Sequence, residues 1–227
     1  MSVPANDYSR WCRVVVLLEK EERVKGIVFD CDGVLFESRR ANLEYYNTVL
    51  ERFSIGPIPA DDDRAQLCHT AASPDVFRTL LGEENVAPAL SIANSLDYRE
   101  FIPYMIPADN LHEVLAAFAS SCPLAVATNR GNSVVEILCH FDLESYFDVV
   151  VTSKDVSRPK PYPDMLNLAS TELGMAIPDL LFVGDSELDL KAAQSAGMAF
   201  VAFGGRFPGV PTVHSHRELL AWHEKNR

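Results

Sequence analysis

Gly26-Ile27-Val28-Phe29-Asp30-Cys31-Asp32-Gly33-Val34 joins a short apolar run to two aspartates spaced two residues apart. Ile27, Val28 and Phe29 put apolar side chains on both faces, which suits a strand of a parallel sheet covered by helices on each side. Four similar runs follow: Leu124-Ala125-Val126-Ala127-Thr128, Asp148-Val149-Val150-Val151, Leu180-Leu181-Phe182-Val183-Gly184 and Ala199-Phe200-Val201-Ala202-Phe203. Between them lie segments with apolar residues at helical spacing: 110–120, 134–140, 164–173 and 188–196. Strand alternating with helix predicts an α/β fold, a doubly wound parallel sheet of Rossmann-like type.

The alternation stops between Phe36 and Met105. That stretch holds no clear strand run but reads as helix over 39–52, 74–81 and 87–101, with Pro57, Pro59 and Pro74 as punctuation. Roughly 65–70 residues are far more than a crossover needs, so they predict a helical domain inserted after the first strand. The expected division is an N-terminal extension of unknown role at 1–24, an α/β core at 25–37 and 105–227, and the insertion at 38–104. Val14 to Leu18 reads equally as an edge strand or part of a helix.

The 227 residues are 48% hydrophobic and 23% charged, ordinary for a globular chain. Twenty basic against 32 acidic residues give a net charge of -12. That balance argues against nucleic-acid and membrane-surface partners, while a metal with one or two local cations still allows a small phosphorylated substrate. Five scattered cysteines, Cys12, Cys31, Cys68, Cys122 and Cys139, suit neither a disulfide framework nor a zinc site and point to reduced thiols. No apolar run approaches the roughly 20 residues of a membrane span. Charged residues follow Val14 to Leu18 where a signal peptide needs small ones. The expected location is cytoplasmic.

Four polar groups follow four of the predicted strands. They are Asp30 to Gly33, Thr128-Asn129-Arg130-Gly131, Arg158-Pro159-Lys160-Pro161, and Gly184-Asp185-Ser186-Glu187-Leu188-Asp189. In an open parallel sheet, the carboxyl ends of the strands converge on one crevice. Asp30, Asp32 and Asp185, with Asp189 as a fourth, would crowd carboxylates there. Like charges so close call for neutralisation, and a hard cation such as Mg²⁺ suits oxygen ligands. Thr128 and the amides after it can donate to phosphate oxygens, and Lys160 adds a positive charge. These are the parts of phosphoryl transfer through an aspartyl-phosphate.

In their order, the motifs resemble those of the haloacid dehalogenase superfamily, in its phosphoglycolate-phosphatase-like branch with a helical cap. The resemblance runs from Gly26 to about Phe207. It implies that Asp30 is the nucleophile and Asp32 the general acid and then base. Thr128 and the Asn129 amide would bind phosphoryl oxygens, and Lys160 would balance charge on Asp30 and the phosphate. Asp30, the Asp32 carbonyl and Asp185 would hold Mg²⁺, with Asp189 supporting the metal or orienting Lys160. Family members that cleave carbon–halogen bonds lack the second aspartate, so Asp32 favours phosphate chemistry. The segment 38–104 matches the position of the cap, which would close over the site and select the substrate. Arg39, Arg40, His69 and Arg78 are its candidate specificity residues. The first lysine after Gly33 is Lys154, which excludes a Schiff-base lysine in the cap.

The implied activity is Mg²⁺-dependent hydrolysis of a small phosphomonoester metabolite. The alternatives are a sugar phosphomutase of the same branch, which returns the phosphoryl group to substrate, and a non-catalytic phosphometabolite-binding protein. A binder would have no need of both Asp30 and Asp32.

Overall fold

The structure, a computed structural model, describes residues 24–205 and 207–225. Val14 to Leu18 and Cys12 lie outside the described residues. Six parallel strands form the main sheet: β1 (Gly26–Phe29), β4 (Leu124–Thr128), β5 (Val149–Thr152), β6 (Leu180–Gly184), β7 (Ala199–Phe203) and β8 (Thr212–Val213). Their order is β5-β4-β1-β6-β7-β8. The chain winds from β1 outward through β4 to β5, returns to β6 on the other flank of β1, and winds outward again. The order reverses at β1, which leaves a crevice beyond its carboxyl end.

Side-chain alternation along these strands builds two cores, one on each face of the sheet. Ile27, Phe29, Val126, Leu181 and Val201 face one of them, with Leu115, Phe118, Leu138 and Leu219 from the helices that cover it. Val28, Ala125, Phe182 and Ala202 face the other, against Met165, Leu166, Ala192 and Ala193. Helices α5 (Leu111–Ala119), α6 (Ser133–His140), α7 (Asp164–Glu172) and α8 (Glu187–Ala196) occupy the segments whose apolar spacing predicted them. Ser186 caps α8 in a reciprocal capping box with Asp189, and Gly197 ends it at φ 73°. β5 begins one residue later than the apolar run predicts, and just before it the Asp148 side chain accepts the Leu124 amide at 3.0 Å.

Between β2 (Phe36–Glu37) and β3 (Ile106–Pro107) lie α1 (Arg39–Glu51), α2 (Asp63–Thr70), α3 (Ser73–Leu81) and α4 (Val86–Ser95). These four helices share a hydrophobic cluster of their own, with Tyr46, Val49, Leu50, Val76 and Phe77 buried in it. β2 and β3 pair antiparallel, Phe36 opposite Pro107 and Glu37 opposite Ile106, so the two passages between the sheet and the helical insertion run side by side. The helical pattern over 87–101 is broken. Leu96 turns extended at ψ 138°, and Asp97 accepts the Arg99 amide at 3.1 Å to start a short 3-10 turn. Helix α2 has little amphipathic signal in sequence. The Asp62 side chain caps it, accepting the Arg64 amide at 2.9 Å.

The chain after Pro208 supplies β8 and α9 (His216–Lys225), and α9 places Leu219 in the first core. Among the described residues, no helix is long and apolar enough to cross a membrane. Leu219 is fully buried, so Leu219→Ala should lower stability by about 2–4 kcal/mol. Urea unfolding checks this, and a loss within ~0.5 kcal/mol would show that α9 is peripheral.

Candidate active site

Asp30 leaves the carboxyl end of β1, Thr128 ends β4 and Asp185 follows β6. All three strands are neighbours in the sheet, so backbone pairing alone brings these residues together. Crowding of carboxylates follows from this packing: Asp30, Asp185 and Asp189 each present an oxygen within 4.8 Å of the others. Gly33 permits it. Its φ is 77°, and a Cβ there would lie 2.0 Å from Asp185 Oδ2.

Lys160 enters this cluster from the loop after β5. Its Nζ lies 2.8 Å from Asp30 Oδ1 and 2.6 Å from Asp189 Oδ1. Asp189 is wholly buried, and its other oxygen accepts the Ser186 amide at 3.0 Å and hydroxyl at 2.6 Å. Both oxygens of Asp189 are therefore engaged by protein groups. Asp30 Oδ1 also accepts the Cys31 amide at 2.7 Å, while the Cys31 side chain is buried in the first core.

Burial pushes the Asp30 carboxyl well above its usual range. Lys160 opposes this, and Asp189, Asp185 and Asp32 add to it. Burial, with Asp189 next, pushes Asp185 up to about 7 against the pull of Lys160. For Lys160, burial opposes the charge, but Asp189 and Asp30 outweigh it and hold the ammonium above its ordinary value. Carboxyls raised by burial and mutual repulsion, with oxygens converging on one point, are a donor set that fits a hard divalent cation. Asp30 and Asp185 are the side chains with oxygens left for it.

Asp32 faces away from that cluster. Its Oδ1 accepts from Arg130 Nη2 at 2.6 Å, from Asn42 Nδ2 at 3.2 Å and from the Ser38 hydroxyl. Burial works to raise this carboxyl, but Arg130, His69 and the hydrogen bonds from Arg130 and Ser38 hold it below its ordinary value. The Thr128 hydroxyl accepts the Arg130 amide at 3.2 Å. Asn129 turns its side chain to the Lys160 backbone, accepting from the amide at 3.0 Å and donating to the carbonyl at 3.1 Å. It also donates to the Thr70 carbonyl at the end of α2, at 3.1 Å.

A cavity of about 600 Å³ lies between the sheet edge and the helical insertion, lined by Asp30, Asp32, Thr128 and Asn129 and, from the insertion, by Tyr45 and His69. Of the candidate specificity residues, His69 is buried, with its Nδ1 3.3 Å from Asn42 Nδ2. Arg78 lines the cavity but is exposed and paired with Asp75 and Glu83. Arg39 is exposed and pairs with Glu37 at 2.6 Å, and Arg40 lies over the Tyr104 ring at 4.4 Å. Neither lines the cavity. Sequence reasoning assigned no role to Ser38, Asn42, Tyr98 or Arg130. Arg130 had a signal, its place directly after Thr128-Asn129, but Asn42 and Tyr98 look like ordinary helical and turn residues.

A family model described as haloacid dehalogenase-like hydrolase matches residues 27–203. The phosphoglycolate phosphatase of Salmonella typhi is 28% identical over 235 residues, covering 91% of this chain and 89% of that protein. The phosphoglycolate phosphatase of Rhodobacter capsulatus is 29% identical over 192 residues, covering 78% and 83%. Among solved structures, a HAD-superfamily hydrolase of subfamily IA, variant 1, from Geobacter sulfurreducens PCA is 33% identical. It superposes with a TM-score of 0.76, covering 88% of this chain and 99% of that one. The chain belongs to the haloacid dehalogenase-like hydrolase family, and it is a phosphatase hydrolase.

The raised Asp185 carboxyl has a consequence for stability. Its folded-state value near 7 exceeds the ordinary 3.8, so the folded chain holds this proton more tightly than the unfolded chain. The contribution of Asp185 to metal-free stability should fall as pH rises from about 4 to about 7 and then level off. Asp185→Asn removes that dependence. In EDTA the variant should melt higher than wild type at about pH 8, with the difference vanishing towards about pH 4. A variant that melts lower at the alkaline end would show that the ionised carboxylate is stabilising instead.

Proposed function

We propose that this phosphatase hydrolyses a small phosphomonoester through an aspartyl-phosphate on Asp30, with Mg²⁺ as cofactor. One observation carries this reading: a buried carboxylate at the end of the central strand, held by Lys160 at 2.8 Å and faced by Asp185, with a second carboxyl two residues on. An Asp30 oxygen attacks phosphorus and the bond to the leaving oxygen breaks. Asp32, once it has taken up a proton against the pull of Arg130, protonates that oxygen as it departs. Asp32, now ionised, takes a proton from water, which attacks phosphorus and frees phosphate and Asp30. Lys160 offsets the charge gathered on Asp30 and the phosphoryl oxygens, and Asp189 orients Lys160. Thr128 and the amides after it bind the phosphoryl oxygens.

Asp30, Asp185 and the Asp32 carbonyl would hold the metal. When bound, Mg²⁺ supplies positive charge that neutralises the carboxylates and the transferring group. The helical insertion acts as a cap that excludes water and selects the leaving group. The relatives from Salmonella typhi and Rhodobacter capsulatus are named for phosphoglycolate, which makes it the first substrate to test. Free thiols at Cys31, Cys68 and Cys139 suit a cytoplasmic enzyme.

Phosphate release from a panel of metabolite phosphates should be abolished by EDTA and restored by Mg²⁺, and Lys160→Ala should lower it by about a hundredfold or more. Full activity in EDTA removes the metal, and near wild-type rates for Lys160→Ala remove that residue from the chemistry.

The two aspartates should fail differently. On para-nitrophenyl phosphate the leaving group departs without a proton, so Asp32→Asn should release a burst of about one nitrophenolate per site and then stall. Asp30→Asn should give no burst. A burst or steady turnover by Asp30→Asn in rapid-mixing absorbance overturns the assignment of the nucleophile.

A further inference from the structure

Arg130 is a buried cation for which the two-step scheme has no task. Its side chain is 7% exposed, and the guanidinium lies over the Tyr98 ring at 5.0 Å. Nη2 carries two hydrogens, and two acceptors receive them: Asp32 Oδ1 at 2.6 Å and Asn42 Oδ1 at 2.6 Å. Asn42 belongs to α1, so the side chain reaches from the edge of the sheet into the helical insertion. The Tyr98 hydroxyl donates to the same Asn42 oxygen at 3.2 Å, which leaves the Asn42 amide to face Asp32.

Asp32 Oδ1 therefore receives three donors, from Arg130, Asn42 and Ser38. A carboxylate oxygen offers about two lone-pair sites, so Oδ1 has no capacity left for a proton or a substrate. The donors that reach Asp32 among the described residues all converge on Oδ1, and Asp32 lines the same cavity as Asp30. We propose that Arg130 is a positioning residue for the acid–base carboxyl: by anchoring Oδ1 it keeps Oδ2 turned to the leaving oxygen, and later to the attacking water. This rests on the two-step scheme proposed above. Arg130 itself touches no reacting atom.

The test is a double-mutant cycle on the full chain. Asp32→Asn, Arg130→Met and the double variant are checked for wild-type circular dichroism. They are then assayed on phosphoglycolate or glycerol phosphate, whichever the wild type turns over faster, and on para-nitrophenyl phosphate. Arg130→Met should lower kcat on the alkyl ester by about tenfold to a hundredfold, with KM changed by less than about threefold. It should keep the nitrophenolate burst. Combined with Asp32→Asn it should lower kcat no further, because its effect passes through that carboxyl. Arg130→Lys, which keeps the charge but loses the planar fork, should recover part of the loss. If Arg130→Met does not fold, Arg130→Lys serves in the same cycle.

Losses that add in the double variant overturn the proposal. So does a raised KM with kcat intact, which makes Arg130 a substrate-binding group. Failure of the underlying scheme is separable, since Asp30→Asn would then retain turnover. A mistaken role for Arg130 leaves Asp30→Asn inactive and shows only in the cycle.

Discussion

Lys160 Nζ lies between Asp30 and Asp189, 2.8 Å and 2.6 Å away, in a site almost closed to solvent. Asp30 follows β1, Asp185 follows the paired β6, and the first turn of α8 sets Asp189 beside them. Burial and the neighbouring carboxylates push Asp30 well above its usual range. The buried Lys160 ammonium opposes that shift, and removing it would leave unpaired buried charge, a loss typically of about 3–5 kcal/mol. Much of the surrounding structure serves to hold this one cation. Asp189 is fixed by the Ser186 capping box, and the Asn129 side chain grips the Lys160 backbone on both its amide and its carbonyl.

Asn129 also joins the site to the helical insertion. Its second donation, to the Thr70 carbonyl, couples the loop that carries Lys160 to the end of α2. Asn42 makes a parallel link from α1 to Asp32 and Arg130. Seating of the insertion and order at the two carboxyls are thus bound by a few direct hydrogen bonds. The carboxyls also divide by environment. Asp30 sits among carboxylates and is raised by burial, while Asp32 sits among donors and is held low. Two aspartates two residues apart thus stand in opposite electrostatic environments.

The α/β pattern is legible from local composition, since a doubly covered strand needs apolar residues on both faces and the intervening helices need one apolar stripe. The four motif groups are legible too, because topology places the ends of parallel strands together. Elements that depend on a single cap or on pairing at a distance are not. Helix α2 begins on the Asp62 cap, β2 is only two residues long, and α9 is secured by burial of Leu219 against a core assembled from far along the chain.

By itself the sequence determined which carboxylates, lysine and threonine gather at the sheet edge, because strand-forming runs and the polar groups after them are local features and parallel strands end on one side of a sheet. Only the tertiary structure decided how they are divided. It turned Asp189 and the Asn129 side chain towards Lys160, joined Asp32 to Arg130, Ser38 and Asn42, and left Arg39 and Arg40 outside the cavity. The physical reason is that a buried polar atom takes whichever partner packing brings within about 3 Å. For residues as far apart in sequence as Asp32 and Arg130, that partner is settled only when the helical insertion and the sheet meet.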